Sequence, residues 1–345
     1  MVELHWKDKH RQEPIDSSIR QPVIVDEAIA SDLDLQPASS LEQDGWRNRL
    51  ILGDALDIAA ALLPELSGRI DLVYIDPPFM TGRDFMNGTQ LAYSDKWNDH
   101  LDSYLSWLYE ILTLLHRLLT VEGSIYIHLD WRVVHYAKVL LDEVFGYSPN
   151  ADGAGFKNEI IWHYQSGGRA LRHYARKHDT LLLYTKSGRY SFHPERVGER
   201  RGSEKRNHMR KRIDTGGQVQ WTIATAGRTY TYSEDSLMTP SDVWHDISHL
   251  HQRHPERCGY ATQKPLALLE RIILASSEED GLVLDCFCGS GVTPVAAQLL
   301  GRRWIACDKS ELAVSTTRQR LLNMEPAGPF LMQRVTASSK APEGK

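Results

Sequence analysis

The chain has 345 residues, 41% of them hydrophobic and 25% charged, and a formal net charge of −5 at pH 7. That composition suits a globular chain with a substantial core, and with only 4 cysteines it excludes a disulfide framework. The opening "MVELHWKDKHRQEP" has no apolar signal-peptide core and no apolar run approaches membrane-spanning length, so a cytoplasmic location away from membranes is expected.

Residues 1–45 are polar, carry scattered acids and read as an extension outside the core. From Trp46 the texture changes. "RLIL" at 49–52 is a short strand ending at Gly53-Asp54, and "ALDIAAALLPEL" is an apolar helix. In "DLVYIDPPFMTG", residues 71–82, a buried strand runs from Leu72 to Ile75 and meets Asp76, Pro77 and Pro78. Proline cannot donate to a sheet ladder and pushes the residue before it into an extended conformation. The strand therefore stops there, with a carboxylate and the Phe79 ring stiffened at its tip. Taken alone, that tip is equally a rigid turn whose Asp bonds nearby backbone.

A helix over 101–119 follows with an apolar stripe of helical period, then a strand at 123–129 and a helix stopped by Gly146. "NEIIWHY" (158–164) and "DTLLLYTK" (179–186) are expected to pair as an antiparallel hairpin. Between 187 and 256 the pattern gives way to Arg, Gly, Ser, Thr and His. Lys186 to Arg212 carries ten Lys/Arg and three Glu, a basic segment on an otherwise acidic chain. It suggests a polyanion contact, the alternative being a solvated loop. "HDISHLHQRHPERC" lacks a zinc spacing and reads as a polar loop, with no metal expected. Regular structure resumes with "PLALLERIILASS", whose Pro265 suits a first helical turn. Strand "LVLDC", a glycine loop, helix "TPVAAQLL", strand "RRWIAC" and helix "ELAVSTTRQRLL" come next. Cys286, Cys288 and Cys307 lie in or beside these apolar runs and read as buried thiols of a reducing compartment. The last twenty residues read as a frayed tail.

Strands alternating with helices imply a doubly wound, mostly parallel α/β sheet covered on both faces, with one antiparallel hairpin. The domain reading is an extension at 1–45, one half of the α/β domain at 46–186, an insertion at 187–256, the other half at 257–325 and a tail at 326–345.

The glycine loop is the most informative stretch. The strand before it ends at Asp285, the chain turns through Gly289-Ser290-Gly291, and the next strand ends at Asp308. Glycines admit a ligand close to the backbone, and an acid ending the second strand can bind ribose hydroxyls, which favours a nucleoside cofactor over a plain turn. Pro294 stands where a dinucleotide fingerprint wants its third glycine. Asp285 would repel pyrophosphate but suits the amino group of a methionine moiety. These features point to S-adenosylmethionine and away from an NAD-dependent oxidoreductase.

With these motifs the chain resembles the amino-group DNA methyltransferases of circularly permuted motif order, the beta class. The matching pieces are "GDAL" at 53–56, "DLVYIDPPF" at 71–79, "GYATQKPLALLERII" at 259–273 and "VLDCFCGSGVT" at 283–293, within a span from about Trp46 to Leu322. The chain departs from the family pattern at Met80, where Asn is usual, and at Val292, where Thr is usual. The resemblance implies a Rossmann-like, S-adenosylmethionine-dependent methyltransferase fold with an inserted target-recognition region at 187–256. It implies that Asp76 and the Pro77 carbonyl accept the two hydrogens of an exocyclic amino group, that Pro77 and Pro78 keep these acceptors rigid, and that Phe79 stacks on a base extruded from the duplex. Asp285, Phe287, Gly289, Ser290, Gly291 and Thr293 would line the methionine end of the cofactor. Asp308 would take the ribose hydroxyls, Asp54 the adenine edge, and Thr262, Gln263 and Lys264 would approach its carboxylate. Arg200, Arg201, Arg206, Arg210 and Arg212 would contact double-stranded DNA.

The implied reaction is methylation of adenine N6, with cytosine N4 as the alternative and a catalytically silent DNA-binding subunit a more distant one. The reading leaves room for a cognate restriction endonuclease and for a homodimer. It also sets a structural condition. The strands ending at Asp76 and Asp285 must be neighbours for the two halves of the site to meet in one crevice.

Overall fold

In the computed structural model the described residues are 3–6, 9, 23–29, 45–87, 90–97, 100–148, 150, 152–165, 170–200, 208–233, 236–325 and 328–335. They divide into two compact units, Met1–Ser191 with Asp242–Lys345, and Phe192–Ser241.

The first unit is built on a ten-stranded sheet. Its strands in chain order are β1 (Val23–Ile29), β2 (Asn48–Leu52), β3 (Ile70–Ile75), β4 (Leu119–Leu129), β5 (Gly155–His163), β6 (His178–Thr185), β7 (Val243–Trp244), β8 (Leu282–Asp285), β9 (Arg303–Asp308) and β10 (Phe330–Val335). Across the sheet they run β1-β10-β2-β9-β8-β3-β4-β6-β5-β7. The pairs from β10 to β4 are parallel. β6 is antiparallel to both β4 and β5, the expected hairpin.

Apolar residues point both ways from the central strands because both faces are covered. From β3, Val73 and Ile75 enter one core, which also holds residues of α1 (Ala55–Leu66), α2 (Leu101–Leu118) and α3 (Val134–Phe145). Leu72 and Tyr74 enter the other core, with residues of α4 (Leu266–Ser276), α5 (Val292–Leu299) and α6 (Glu311–Leu322). β8 is continued through α5 to β9 on one side, and β3 through α2 to β4 on the other. The β8/β3 boundary is thus a point where strand order reverses, the position at which open α/β sheets bind ligands. The register pairs Val283 with Leu72 and Leu284 with Val73, so the two strands end side by side.

Three sequence expectations change. Residues 330–335, read as tail, form β10, parallel to β2 and antiparallel to β1, which lies within the stretch read as an extension. Two short runs, "VIVDEAI" and "FLMQRV", are weak alone and gain their hydrogen bonds only from each other and from β2. The inserted compact unit begins and ends inside 187–256. Residues 242–256 return to the first unit, where β7 pairs with β5 and Trp162 Nε1 donates to the Ile247 carbonyl at 2.8 Å. Trp244, Ile247 and Leu250 are buried, but the run they belong to is broken by polar residues after Trp244 and after Ile247, which hides them from a periodicity reading.

The unit Phe192–Ser241 contains a three-stranded antiparallel sheet of Arg210–Ile213, Val219–Thr225 and Arg228–Ser233, in a region whose sequence pattern had looked irregular. The turn Ala226-Gly227 has positive φ at both residues (47° and 75°), the primed geometry that matches strand twist, without the Asn-Gly that advertises it. Among the described residues no helix is long and apolar enough to cross a membrane.

Candidate active site

Four parallel strand ends line one edge of the sheet. β2 leads to Asp54 and β3 to Asp76, while β9 ends at Asp308 and β8 at Asp285, held in step by Gly53 N donating to Asp308 O and Cys288 N to Cys307 O, both at 3.0 Å. They open into a cleft of about 590 Å³. Of the residues expected at the site, Asp54, Asp76, Pro77, Pro78, Phe79, Thr262, Gln263, Lys264, Asp285, Phe287, Gly289, Ser290, Thr293 and Asp308 line it. Gly291 does not. It caps α5 at φ 76°, and an added Cβ would stand 2.6 Å from Thr317 Oγ1, so its place follows from backbone conformation and packing.

Asp76 leaves the end of β3 and its Oδ2 receives the Lys264 ammonium in an ion pair. Its Oδ1 is buried and has no hydrogen-bond partner among the described residues. Lys264, expected near a cofactor carboxylate, is therefore placed on Asp76. Gln263 also differs from expectation: its amide takes the Cys258 N–H at 2.9 Å and donates to the Glu256 carbonyl at 2.8 Å, tying down its own loop. Thr262 hydrogen-bonds Tyr93, whose hydroxyl pKa is raised, chiefly by burial.

The Phe79-Met80-Thr81 backbone is held by Asp95, a residue with no signal in the sequence. Its buried carboxylate accepts from Phe79 N at 3.2 Å, Met80 N at 3.0 Å, Thr81 N at 2.8 Å and Thr81 Oγ1 at 2.7 Å. Met80 has φ 56°, left-handed backbone that Asn tolerates better than Met, a physical reason for the Asn usual at this place.

On the β8 side, Asp285 is 2% exposed and accepts from Phe287 N at 2.9 Å and from the Thr293 hydroxyl. Burial pushes its pKa up to about 7. Burial also raises Asp308, against the Ser310 and Gly289 amides that its two oxygens accept at 2.9 and 3.0 Å. Asp54 caps α1 through Leu56 N at 2.9 Å while its residue faces the cleft. Five carboxylates, those of Asp54, Asp76, Asp179, Asp285 and Asp308, thus line one cavity, and the desolvation of Asp285 and Asp308 favours a cationic ligand beside them.

The opposite wall is aromatic: Phe79, Trp162 and Tyr164 line it with Asp179. Beneath it His128, fully buried, lies 3.0 Å by Nδ1 from the Tyr74 hydroxyl and 3.3 Å by Nε2 from Asp179 Oδ2. Tyr164 OH donates to Asp179 Oδ1 at 2.9 Å. Desolvation would raise Asp179, but the hydrogen bonds from His128 and Tyr164 and the charge interactions with His128 and Lys264 together outweigh it, and the carboxyl is held below its usual range. Nothing in the sequence singled out this network. Its one trace is a polar residue opening the apolar run "DTLLLYT".

Arg210 and Arg212 stand exposed on the sheet of the Phe192–Ser241 unit. Arg201, Arg206 and the Arg200 side chain lie outside the described residues.

Residues 70–319 match a family model described as DNA methylase, N6_N4_Mtase. The type II methyltransferase M.HpaI of Haemophilus parainfluenzae is 31% identical over 276 residues, covering 79% of this chain and 74% of that protein. The DNA adenine methyltransferase YhdJ of Escherichia coli (strain K12) is 28% identical, with 79% and 82% covered. Among solved structures, M1.HpyAVI in complex with SAM aligns with a TM-score of 0.50 at 19% identity, covering 80% of this chain and 99% of that one, a likeness of fold.

Proposed function

The chain belongs to the N6/N4 DNA methylase family, and on that premise we propose that it methylates the exocyclic N6 of adenine in double-stranded DNA, using S-adenosylmethionine. The observation that carries the reading is the buried Oδ1 of Asp76, without a hydrogen-bond partner among the described residues, in the same cleft as the Asp285–Thr293 glycine loop. The residues fit the cofactor. Asp285 and Asp308 give the cavity negative charge for a cationic methionine end and for ribose hydroxyls, Gly289 lets the loop run close to the cavity, and Phe287 and Asp54 complete the wall. When bound, S-adenosylmethionine supplies an electrophilic methyl carbon.

The chain's own residues prepare the nucleophile. An aromatic amino nitrogen is weak because its lone pair is delocalised into the ring. Asp76 Oδ1 accepts one of its hydrogens and the Pro77 carbonyl the other, which draws the nitrogen towards tetrahedral and directs its lone pair away from the ring. Pro77, Pro78 and the Asp95 hydrogen bonds keep these acceptors in place before substrate arrives, so little reorganisation is needed at reaction. The Lys264 ammonium orients the Asp76 carboxylate through Oδ2 and leaves Oδ1 to the amino group. Asp76 then takes the surplus proton of the methylated amine. Phe79, Trp162 and Tyr164 offer stacking surfaces to a base brought out of the duplex.

Asp76 at the head of the four-residue motif and the adenine named for YhdJ support adenine over cytosine. The chain order, with Asp-Pro-Pro-Phe ahead of the glycine loop, supports the permuted class. The type II name of M.HpaI supports partnership with a cognate restriction endonuclease. Digestion of DNA from cells expressing the chain, with mass spectrometry of the nucleosides, should yield N6-methyladenine. N4-methylcytosine in its place would overturn the choice of base, and neither product would overturn the methyltransferase reading.

A further inference from the structure

The loop between β5 and β6 carries a feature that the cofactor site and the basic insertion do not use. It leaves the cleft wall at Tyr164 and returns to it at Asp179, both of which line the cavity. Tyr164 N donates to the Lys177 carbonyl at 2.8 Å, so the two legs are pinned together at the cleft. Beyond that pin the described part of the loop stands in solvent. Leu171 and Tyr174 are each 98% exposed. Single exposed apolar residues are ordinary, but here two lie within four positions, interleaved with Arg172 and Arg176 and with no acid between 170 and 177. Arg176 is held by Trp131, just beyond the end of β4, with its guanidinium carbon 3.8 Å from the ring centroid.

Apolar tips flanked by cations complement stacked bases flanked by phosphates, and apolar side chains of this kind wedge between base steps where a duplex is distorted. The position completes the case. An extruded base reaches the Phe79–Trp162–Tyr164 wall only by leaving a gap in the duplex, and the loop rises from that same wall. We infer that the β5–β6 loop is a duplex wedge: Leu171 and Tyr174 fill the stack from which the target base is extruded, and Arg172 and Arg176 hold the flanking phosphates. The inference rests on the methyltransferase reading. It assigns DNA contact to a segment outside the Phe192–Ser241 unit.

The test uses the full chain and two duplexes carrying the recognition sequence, first read from DNA methylated by the unaltered protein. One duplex is fully paired. The other has an abasic site opposite the target base, which removes most of the extrusion cost. Leu171→Ala with Tyr174→Ala should slow methylation of the paired duplex at least about tenfold and that of the abasic-opposed duplex less than about threefold. Leu171→Met with Tyr174→Phe should keep the paired-duplex rate. Arg172→Ala with Arg176→Ala should flatten the salt dependence of binding by about 0.9 per lost phosphate contact. Equal losses on both duplexes, or no loss on the paired one, would overturn the wedge. An unaltered protein that leaves no methylated DNA from which to read a recognition sequence would instead overturn the methyltransferase reading beneath it. All four substituted residues are exposed, so folding is not at stake.

Discussion

Asp285 offers a quantitative test of the cofactor site through pH. Burial holds its carboxyl at about 7, against 3.8 for an ordinary Asp. A cationic methionine end pairs with the ionised form alone. That form is roughly one tenth of the total at pH 6 and nine tenths at pH 8 when the pKa is near 7. The affinity for sinefungin, an analogue of the cofactor, should therefore rise about tenfold over those two units. Asp285→Asn should bind weakly at both pH values and show no such rise. Without sinefungin the same group acts on stability in the opposite sense. A folded pKa above the unfolded one contributes stability that is present below about pH 4 and lost as pH rises through 7. The melting temperature of the unaltered protein should accordingly fall across that window by more than that of Asp285→Asn. Isothermal titration at constant ionic strength, paired with thermal melts, measures both. An affinity independent of pH, or the same rise persisting in Asp285→Asn, would refute the assignment of Asp285 to the cationic end of the cofactor.

Asp76→Ala should reduce tritiated-methyl transfer by at least about 10²-fold while sinefungin affinity is largely retained; affinity lost together with activity would make Asp76 a cofactor ligand or a fold determinant. Asp95→Ala strips the acceptor from three backbone amides and the Thr81 hydroxyl, and should cost about 3 kcal/mol in urea unfolding and lower kcat. Met80→Asn, at φ 56°, should gain about 1 kcal/mol in the same unfolding measurement by relieving left-handed backbone. Neutralising Arg210 and Arg212 together should flatten the salt dependence of DNA binding by about 0.9 for each lost phosphate contact, measured by titration from low to moderate salt.

What the sequence determined by itself is the set of strand tips. Asp54, Asp76, Asp285 and Asp308 each follow a short apolar run, and the two prolines after Asp76 and the Gly-x-Gly turn after Asp285 act through local sterics that a few letters display. The alternation of strands and helices carried the fold class for a similar reason, since a sheet buried on both faces demands apolar runs and helical crossovers. Partnerships across the chain were not legible. Lys264 and Asp76 stand 188 residues apart and meet only because α4 and β3 are brought to the same cleft. Asp95 holds the Asp-Pro-Pro-Phe loop from just beyond the antiparallel pair Asp84–Asn87 and Gln90–Ser94, whose pairing no local pattern announces. β1 and β10 lie near opposite ends of the chain, outside the alternation of strands and helices, and exist as a pair alongside β2. His128 and Asp179 become neighbours because β4 and β6 run antiparallel. Local backbone preference is written in adjacent residues. The partner of a buried polar side chain is settled by which strands lie side by side, and only the closed tertiary structure decides that.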